Sequence, residues 1–446
     1  MKYLLLLLLS CTLAAEVQKP NLIVIMADDL GYADVGFNGS KHIATPHLDA
    51  LAASGVVCTN AYTTYSVCGP SRAGFMVGRY QQRFGFERNP KYDVNDPLAG
   101  VPLDEMTIAE SLSQVGYKCG VIGKWHLGAH EQFHPLRRGF DEFYGHLGGG
   151  HKYFPSDIGN KTDLEAKSEP ESYVTLINRN YQQEKTEKYL THEFSDEAIQ
   201  FVEKNKSEPF FLFLSYNAPH GPLQAPQEYI DRFKQIKNIK RRTYAAMVSA
   251  MDDGVGRLMH KIEELNLKEK TLIFFLSDNG GPENKNFSYN GDLRGAKSSP
   301  YEGGFRVPFL VSLPGSLPSG VKYPEAVSSL DIFATINALS QSPTKNKLDG
   351  VNLLPYLNKT NAKAPHKSIY LRKFDQGAYV IRQGDFKLVI PGRGKEMELY
   401  NLENDISEKH DIAQKHPETV QYLKKALDQW DSELIDPVFK GLKVHK

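Results

Sequence analysis

The stretch NLIVIMADD, residues 21–29, decides the fold. From Asn21 to Ala27 there is no alternation of polar and apolar residues, so the run reads as a strand covered on both faces, as in a parallel sheet. It ends in two adjacent carboxylates, Asp28 and Asp29. One aspartate after a strand is usually a turn or a helix cap. In an open parallel sheet, however, the carboxyl ends of the strands form the edge where ligands bind.

Other apolar runs end in the same way. GVI (120–122) leads into Gly123, Lys124, Trp125 and His126, and PFFLFLSYN (209–217) leads into Ala218, Pro219 and His220. TLIFFLS (271–277) leads into Asp278, Asn279, Gly280 and Gly281, and FRVPFLVSL (305–313) is a further run. Helix-like segments separate them: TPHLDALAASG with Thr45 as cap and Pro46 at the first position, LDEMTIAESLSQVG closing on Gly116, SDEAIQFVEKN starting on Ser195, and the longer segment from Tyr244 to Leu265. Strands alternating with helices give an α/β sandwich with a large, mostly parallel central sheet.

After about residue 340 the texture changes to short alternating segments, SIYLRK, GAYVIRQGDFKLVI and MELYNL, followed by the amphipathic PETVQYLKKALDQW. These predict a small antiparallel sheet with a terminal helix. Residues 16–340 are therefore expected to form one large domain and 341–446 a smaller C-terminal subdomain, joined through the loop 342–366. Residues 152–190, polar and poorly periodic, read as a surface insertion bordering the substrate. No internal repeats are evident.

Lys plus Arg and Asp plus Glu are equal at 53 each, so no global field favours nucleic acid or an anionic membrane. Residues 1–15 have a basic residue, a short apolar run and small residues at the end, which predicts a signal peptide and an exported protein, periplasmic or secreted. Cleavage after Ala14 or Ala15 would leave a soluble product, the preferred reading. Leu8-Leu9-Ser10-Cys11 also has the form of a bacterial lipobox, which would anchor the protein by a lipid at Cys11. Membrane association is expected in that case alone. The other cysteines, Cys58, Cys68 and Cys119, make an odd set without zinc-ligand spacing. Cys58 and Cys119 read as buried free thiols, leaving Cys68 to be explained.

Asp28, Asp29, Asp278 and Asn279 are oxygen donors without soft ligands, a set that suits a hard divalent cation, Ca2+ before Mg2+. Lys124, His126, His220 and Lys297 add cations and titratable groups to the same edge. Together they suit hydrolysis of an oxyanion ester; the residues alone leave phosphate and sulfate open.

The stretch SVCGPSRAGFMVGR (66–79) resembles the C-x-P-S-R signature of the type I sulfatases of the alkaline phosphatase superfamily, and GYKCGVIGKWHLG (116–128) resembles their second signature. PNLIVIMADDLGYADVG, SYNAPHGPLQAP, SDNGG, LRGAKSSPYEGGFRVPF, LDGVNLLPYL, RQGDFKL and ELYNLENDISE extend the likeness along nearly the whole chain after the leader.

The resemblance implies that Cys68 is oxidised to formylglycine by a maturation enzyme. The hydrated aldehyde then attacks sulfur with one hydroxyl and expels sulfate with the other. It further implies that Asp28, Asp29, Asp278, Asn279 and modified Cys68 hold Ca2+, and that Arg72 and Lys124 steady the diol. His126 would take a proton as sulfate leaves, while His220 and Lys297 would hold sulfate oxygens and assist the departing alcohol. Met76 and Val77 stand where leucine and threonine are usual, Gly78 matches the usual glycine, and Cys119 stands where a threonine is usual.

The implied substrate is a sulfated carbohydrate, with galactose or N-acetylgalactosamine sulfate preferred and His151, Lys152 and Arg294 as candidate sugar contacts. The rival readings are a formylglycine-dependent phosphonate or phosphodiester hydrolase and an inactive glycan-binding lipoprotein in which Cys68 stays a thiol.

Overall fold

The computed structural model describes residues 19–359 and 363–442. The leader at residues 1–15, with Cys11, lies outside them. Ten strands form the main sheet: β1 Asn21–Ala27, β2 Val56–Tyr62, β3 Lys118–Lys124, β4 Glu142–His146, β5 Ile177–Arg179, β6 Gln182–Glu184, β7 Phe210–Ser215, β8 Thr271–Ser277, β9 Phe309–Ser312 and β10 Val321–Ser328. Their spatial order is β10, β2, β9, β8, β1, β7, β3, β4, β5, β6. The central strands β8, β1, β7, β3 and β4 run parallel, while β9, β5 and β6 pair antiparallel with their neighbours.

β1 shows why its sequence lacks alternation. Leu22, Val24 and Met26 pack on one face with Phe75 and Phe213, while Ile23, Ile25 and Ala27 pack on the other with Phe194 and Met247. Both faces carry helices, so every side chain of the strand is buried.

The helices depart from the sequence reading at several ends: the long helix runs Ile239–Glu264, and the segment closing on Gly116 is helical only over Ile108–Ser113. Ser195 does not start a helix: the helix runs Leu190–Asn205, and Ser195 is buried within it, donating to Thr191 O at 2.7 Å. Capping potential lost to apolar packing, because Leu190 and Phe194 need the extra turn to reach the core. Thr45 precedes the helix Pro46–Ala53 but makes no side-chain cap; its hydroxyl instead accepts from Gly36 N at 2.8 Å.

The C-terminal segments form a separate four-stranded antiparallel sheet, β11 Ile369–Lys373, β12 Ala378–Gln383, β13 Phe386–Ile390 and β14 Glu398–Asn401, followed by a helix at Pro417–Asp431. Buried charge joins it to the main sheet. Lys387 of β13 lies 2.9 Å from Glu302 and 2.7 Å from Glu408, and Glu302 also accepts from Tyr62 at 2.7 Å. The insertion at 152–190 is more than surface: it supplies β5 and β6 to the sheet edge, with Asp163, Thr175 and Asn178 buried beneath.

Candidate active site

Parallel register lines up the polar strand ends. Ala27 of β1 is opposite Ser277 of β8, so Asp28 and Asp278 emerge side by side. Gly123 of β3 is opposite Ser215 of β7, which brings Lys124 beside them. Gly123 has φ 110°, and a Cβ there would meet Ser215 O at 1.9 Å, so only glycine lets the two strands approach this closely. Cys68 is the first residue of the helix Cys68–Val77, every residue of which is buried.

The side chains converge as one ionic network. Arg72 Nε donates to Asp278 Oδ2 at 2.9 Å, and its Nη1 donates to Ser215 Oγ at 2.6 Å. Lys124 Nζ donates to Asp28 Oδ2 at 2.6 Å, with Arg72, Lys124, Asp28 and Asp278 all removed from solvent. Lys297 Nζ lies 2.6 Å from Asp29 Oδ1 and 3.0 Å from Cys68 Sγ. His220 Nε2 is 3.6 Å from Asp29 Oδ2, and Asn279 Nδ2 donates to Asp29 Oδ1 at 2.7 Å. Asp28, Asp29, Cys68, Arg72, Lys124, His220, Asp278, Asn279 and Lys297 thus meet at one place. Asp29 and His126 achieve their positions with left-handed backbone, φ 64° and 59°, a conformation that costs a non-glycine residue about 1 kcal/mol or more.

Burial and neighbouring charge set the protonation states. Burial pushes the Cys68 thiol up to about 11, against the pull of Lys124 and Lys297, so at neutral pH it is protonated and a poor nucleophile. Asp28, although buried, is held well below the carboxylate range by Lys124, His220 and Arg72. Asp278 is pushed up to about 6 by burial and by Asp28. Burial drives His126 well below its usual range, with Lys124 and Arg72 adding to the effect, and also lowers His220. Lys297 is raised despite burial, chiefly by Asp29.

The donor set suits a hard cation. Oxygens of Asp28, Asp29 and Asp278 lie within 4.8 Å of one another, and Asp28 Oδ1 and Asn279 Oδ1 are buried with no hydrogen-bond partner among the described residues. Uncompensated buried oxygens beside a carboxylate cluster are what an oxygen-coordinated Ca2+ would satisfy.

Of the candidate sugar contacts, His151 is fully buried, its ring nitrogens bonded to the carbonyls of Lys152 and Thr175 at 2.8 and 2.9 Å, so it cannot reach a ligand. Arg294 is also committed elsewhere: it stacks on Tyr301 at 3.6 Å and donates to Tyr400 at 2.8 Å. Lys152 is part-buried, with its backbone N–H donating to Tyr173 O at 2.8 Å. Cys58 and Cys119 are free buried thiols.

Three participants escaped the sequence reading. Ser215 ends β7, where the strand-end rule could have found it. Asn89 accepts from Gly69 N at 2.9 Å, holding the turn after Cys68. Glu169 comes from the insertion and accepts from Gly149 N at 3.2 Å; a Cβ on Gly149 would lie 2.5 Å from Glu169 Oε1 and 3.0 Å from His126 Nε2, so acid and imidazole flank that glycine. No local signal marks Asn89 or Glu169.

A family model described as Sulfatase matches residues 20–342, and one described as N-sulphoglucosamine sulphohydrolase, C-terminal, matches residues 296–433. The chain belongs to the sulfatase family. This sulfatase is 32% identical over 363 residues to human N-acetylgalactosamine-6-sulfatase; the match covers 76% of the chain and 66% of the human protein, just under two thirds of its length. It is 34% identical over 387 residues to an arylsulfatase of Hemicentrotus pulcherrimus, covering 84% of the chain and 68% of the relative. Among solved structures, the sulfatase is similar to Ps i-CgsB in complex with k-i-k-neocarrahexaose, at 41% identity and a TM-score of 0.89 over 95% of both chains.

Proposed function

We propose that the protein is a formylglycine-dependent, Ca2+-assisted sulfuric ester hydrolase acting on a sulfated galactan of the carrageenan kind. The observation that carries this reading is Cys68 itself. It is a protonated, 2%-exposed thiol at a helix start, set against Lys297 and within the Asp28, Asp29, Asp278 and Asn279 cluster. A thiol in that state has little use as a nucleophile, whereas its sulfur occupies the place of the diol oxygens of a formylglycine. Burial also implies that a maturation enzyme oxidises Cys68 before the chain folds.

A hydrated formylglycine at residue 68 would supply the nucleophile and a second hydroxyl for sulfate release, and Asp28, Asp29, Asp278, Asn279 and residue 68 would hold a Ca2+ whose charge would offset that of the sulfate. The chain's own residues do the rest. Arg72, fixed by Asp278 and Ser215, and Lys124, fixed by Asp28, are held in place beside residue 68 as cationic donors. His126 is neutral at physiological pH and has both ring nitrogens unpartnered among the described residues, so it is free to accept a proton. Lys297, its pKa raised despite burial by Asp29, bridges residue 68 to Asp29, while His220 faces the same space. Burial lowers the His220 pKa, so the anionic sulfate ester would have to favour the protonated ring before that ring could deliver a proton to the departing alcohol. Export through the leader at residues 1–15 is part of this proposal.

The sugar class draws on the relatives. Ps i-CgsB is bound to a neocarrahexaose, and the human relative is named for N-acetylgalactosamine. The test is sulfate release from a panel of defined sulfated galactose and N-acetylgalactosamine saccharides, using protein coexpressed with a formylglycine-generating enzyme. Preferential turnover of phosphodiesters or phosphonates over every sulfate ester would overturn the reading.

A further inference from the structure

A cavity of about 310 Å3 opens beside the catalytic cysteine on the side of the C-terminal sheet, its wall including Val67, Asn89, Lys285, Lys297, Ser298 and Lys373. The charges on this wall are unevenly matched. Its carboxylates are already engaged: Glu87 pairs with Arg372, and Asp375 pairs with Arg88 at 2.6 Å. Lys297 is shared with Asp29. Lys285 and Lys373 remain, and neither has a carboxylate within 4.0 Å among the described residues.

Lys373 is the more informative. It is the last residue of β11 and only 3% exposed, and its ammonium donates to the carbonyl of Ser298, next to Lys297. Burial alone lowers its pKa, to about 8, with no compensating acid. A neutral amide or hydroxyl could hold that carbonyl at a much smaller desolvation cost, because burying an ammonium without a counter-charge is expensive. The site therefore carries positive charge beyond what the fold requires. Exposed Lys285 adds a second unmatched cation at the same cavity, and Asn89 and Gln376 add polar groups.

We propose that this cavity is a subsite for a second sulfate ester, carried on the sugar adjacent to the one being desulfated, with Lys373 and Lys285 as its counter-ions. The inference rests on the carbohydrate-sulfatase reading above. It makes the enzyme selective for galactans sulfated on neighbouring residues, since the ester being cleaved would be placed partly by the charge of its neighbour.

The test uses full-length Cys68→Ala protein with Ca2+ present, so that ligands bind without turnover. Calorimetry compares two galactan oligosaccharides that share the scissile sulfate and differ only in the neighbouring one. The second sulfate is expected to tighten binding by about tenfold, with the gain shrinking as salt is raised. Adding Lys285→Ala or Lys373→Met should bring the affinity ratio of the two ligands towards one. Lys285 is exposed, so its variant remains informative if Lys373→Met disturbs the fold. Equal affinity for the two ligands, no binding of either, or a preference that survives both substitutions would overturn the subsite. Failure of the underlying reading shows separately, as absence of sulfate release from either oligosaccharide by the matured enzyme.

Discussion

The ammonium of Lys297 lies 3.0 Å from the sulfur of Cys68 across 229 residues of sequence. The same ammonium is 2.6 Å from Asp29, so one side chain joins the helix start that bears the cysteine to the strand end that bears the carboxylates. The adjacent Ser298 has φ 75° and donates its N–H to Ser66 O at 2.7 Å, fixing the loop that presents Lys297 to the segment just before Cys68. Loss of either end disturbs the other.

Maturation of Cys68 is directly observable. Mass spectrometry of the peptide spanning residue 68, from protein coexpressed with a maturation enzyme, should show the lighter aldehyde or its hydrate. Cys68→Ala should fold and lose turnover. Full activity in protein whose Cys68 remains an alkylatable thiol would falsify the formylglycine assignment.

Metal dependence should appear in stability as well as in activity. A cation bound by Asp28, Asp29, Asp278 and Asn279 stabilises only the folded state, by about 2.7 kcal/mol at a free concentration of 100 times Kd. Calorimetric scans of Cys68→Ala protein with Ca2+ and with chelator should therefore differ by several degrees in Tm. The difference should shrink in Asp278→Asn. An identical Tm in verified metal-free protein excludes the site.

Arg72 should be needed for folding as well as for the proposed chemistry. It is fully buried against Asp278 at 2.8 Å and Asp28 at 3.9 Å. Arg72→Met leaves both carboxylates facing fewer cations and should cost about 3–5 kcal/mol in metal-free protein, read from denaturant unfolding. A loss under about 1 kcal/mol would mean that the network relaxes or takes up protons at little cost.

The two histidines should separate by step. His220→Ala should lose more activity on a sugar sulfate, a poor leaving group, than on an activated aryl sulfate. His126→Ala should release the alcohol in a burst and retain sulfate on both esters. Single-turnover measurements of alcohol and sulfate release decide the matter; equal defects on both esters for His220→Ala, or a burst from that variant, would reverse the roles.

Stability should depend on pH through His366. Its ring lies 2.7 Å from Asp331, whose carboxylate also accepts the backbone N–H groups of Ser328 and Val351. Burial lowers the His366 pKa, but Asp331 outweighs it and the net shift is upward. The charged pair therefore contributes fully below the unfolded value of about 6.5, and its contribution is lost as pH rises through the higher folded value. His366→Gln should cost about 2 kcal/mol at pH 5.5 and distinctly less at pH 9. Unfolding free energies of both proteins across that range provide the check.

The order of the apolar runs made the sheet legible, because a strand buried on both faces cannot hide its composition: Asn21–Ala27 and Thr271–Ser277 begin and end where their sequences say. The strand-end carboxylates, lysines and histidines were legible for the same reason, since polar residues abruptly following such runs must face the open edge. The alternating C-terminal segments were legible too, as β11–β14, but the short polar strands β5 and β6 were not. β5 and β6 lie in a segment read as a surface insertion, and Ser195, read as a helix start, sits mid-helix because core packing outweighed capping.

What the sequence determined by itself was the set of groups at the edge of the sheet and their likeness to a sulfatase. Their partnerships were decided by tertiary structure alone. That Arg72 is held by Ser215 and Asp278, that Glu169 flanks Gly149 with His126, and that His151 is buried rather than facing a sugar all follow from the register of parallel strands and the return of distant loops. So does the unmatched charge of Lys373, which in the sequence is an ordinary lysine at a strand end. Pairing and desolvation are properties of where a side chain is placed among others, and no residue's own identity carries that information.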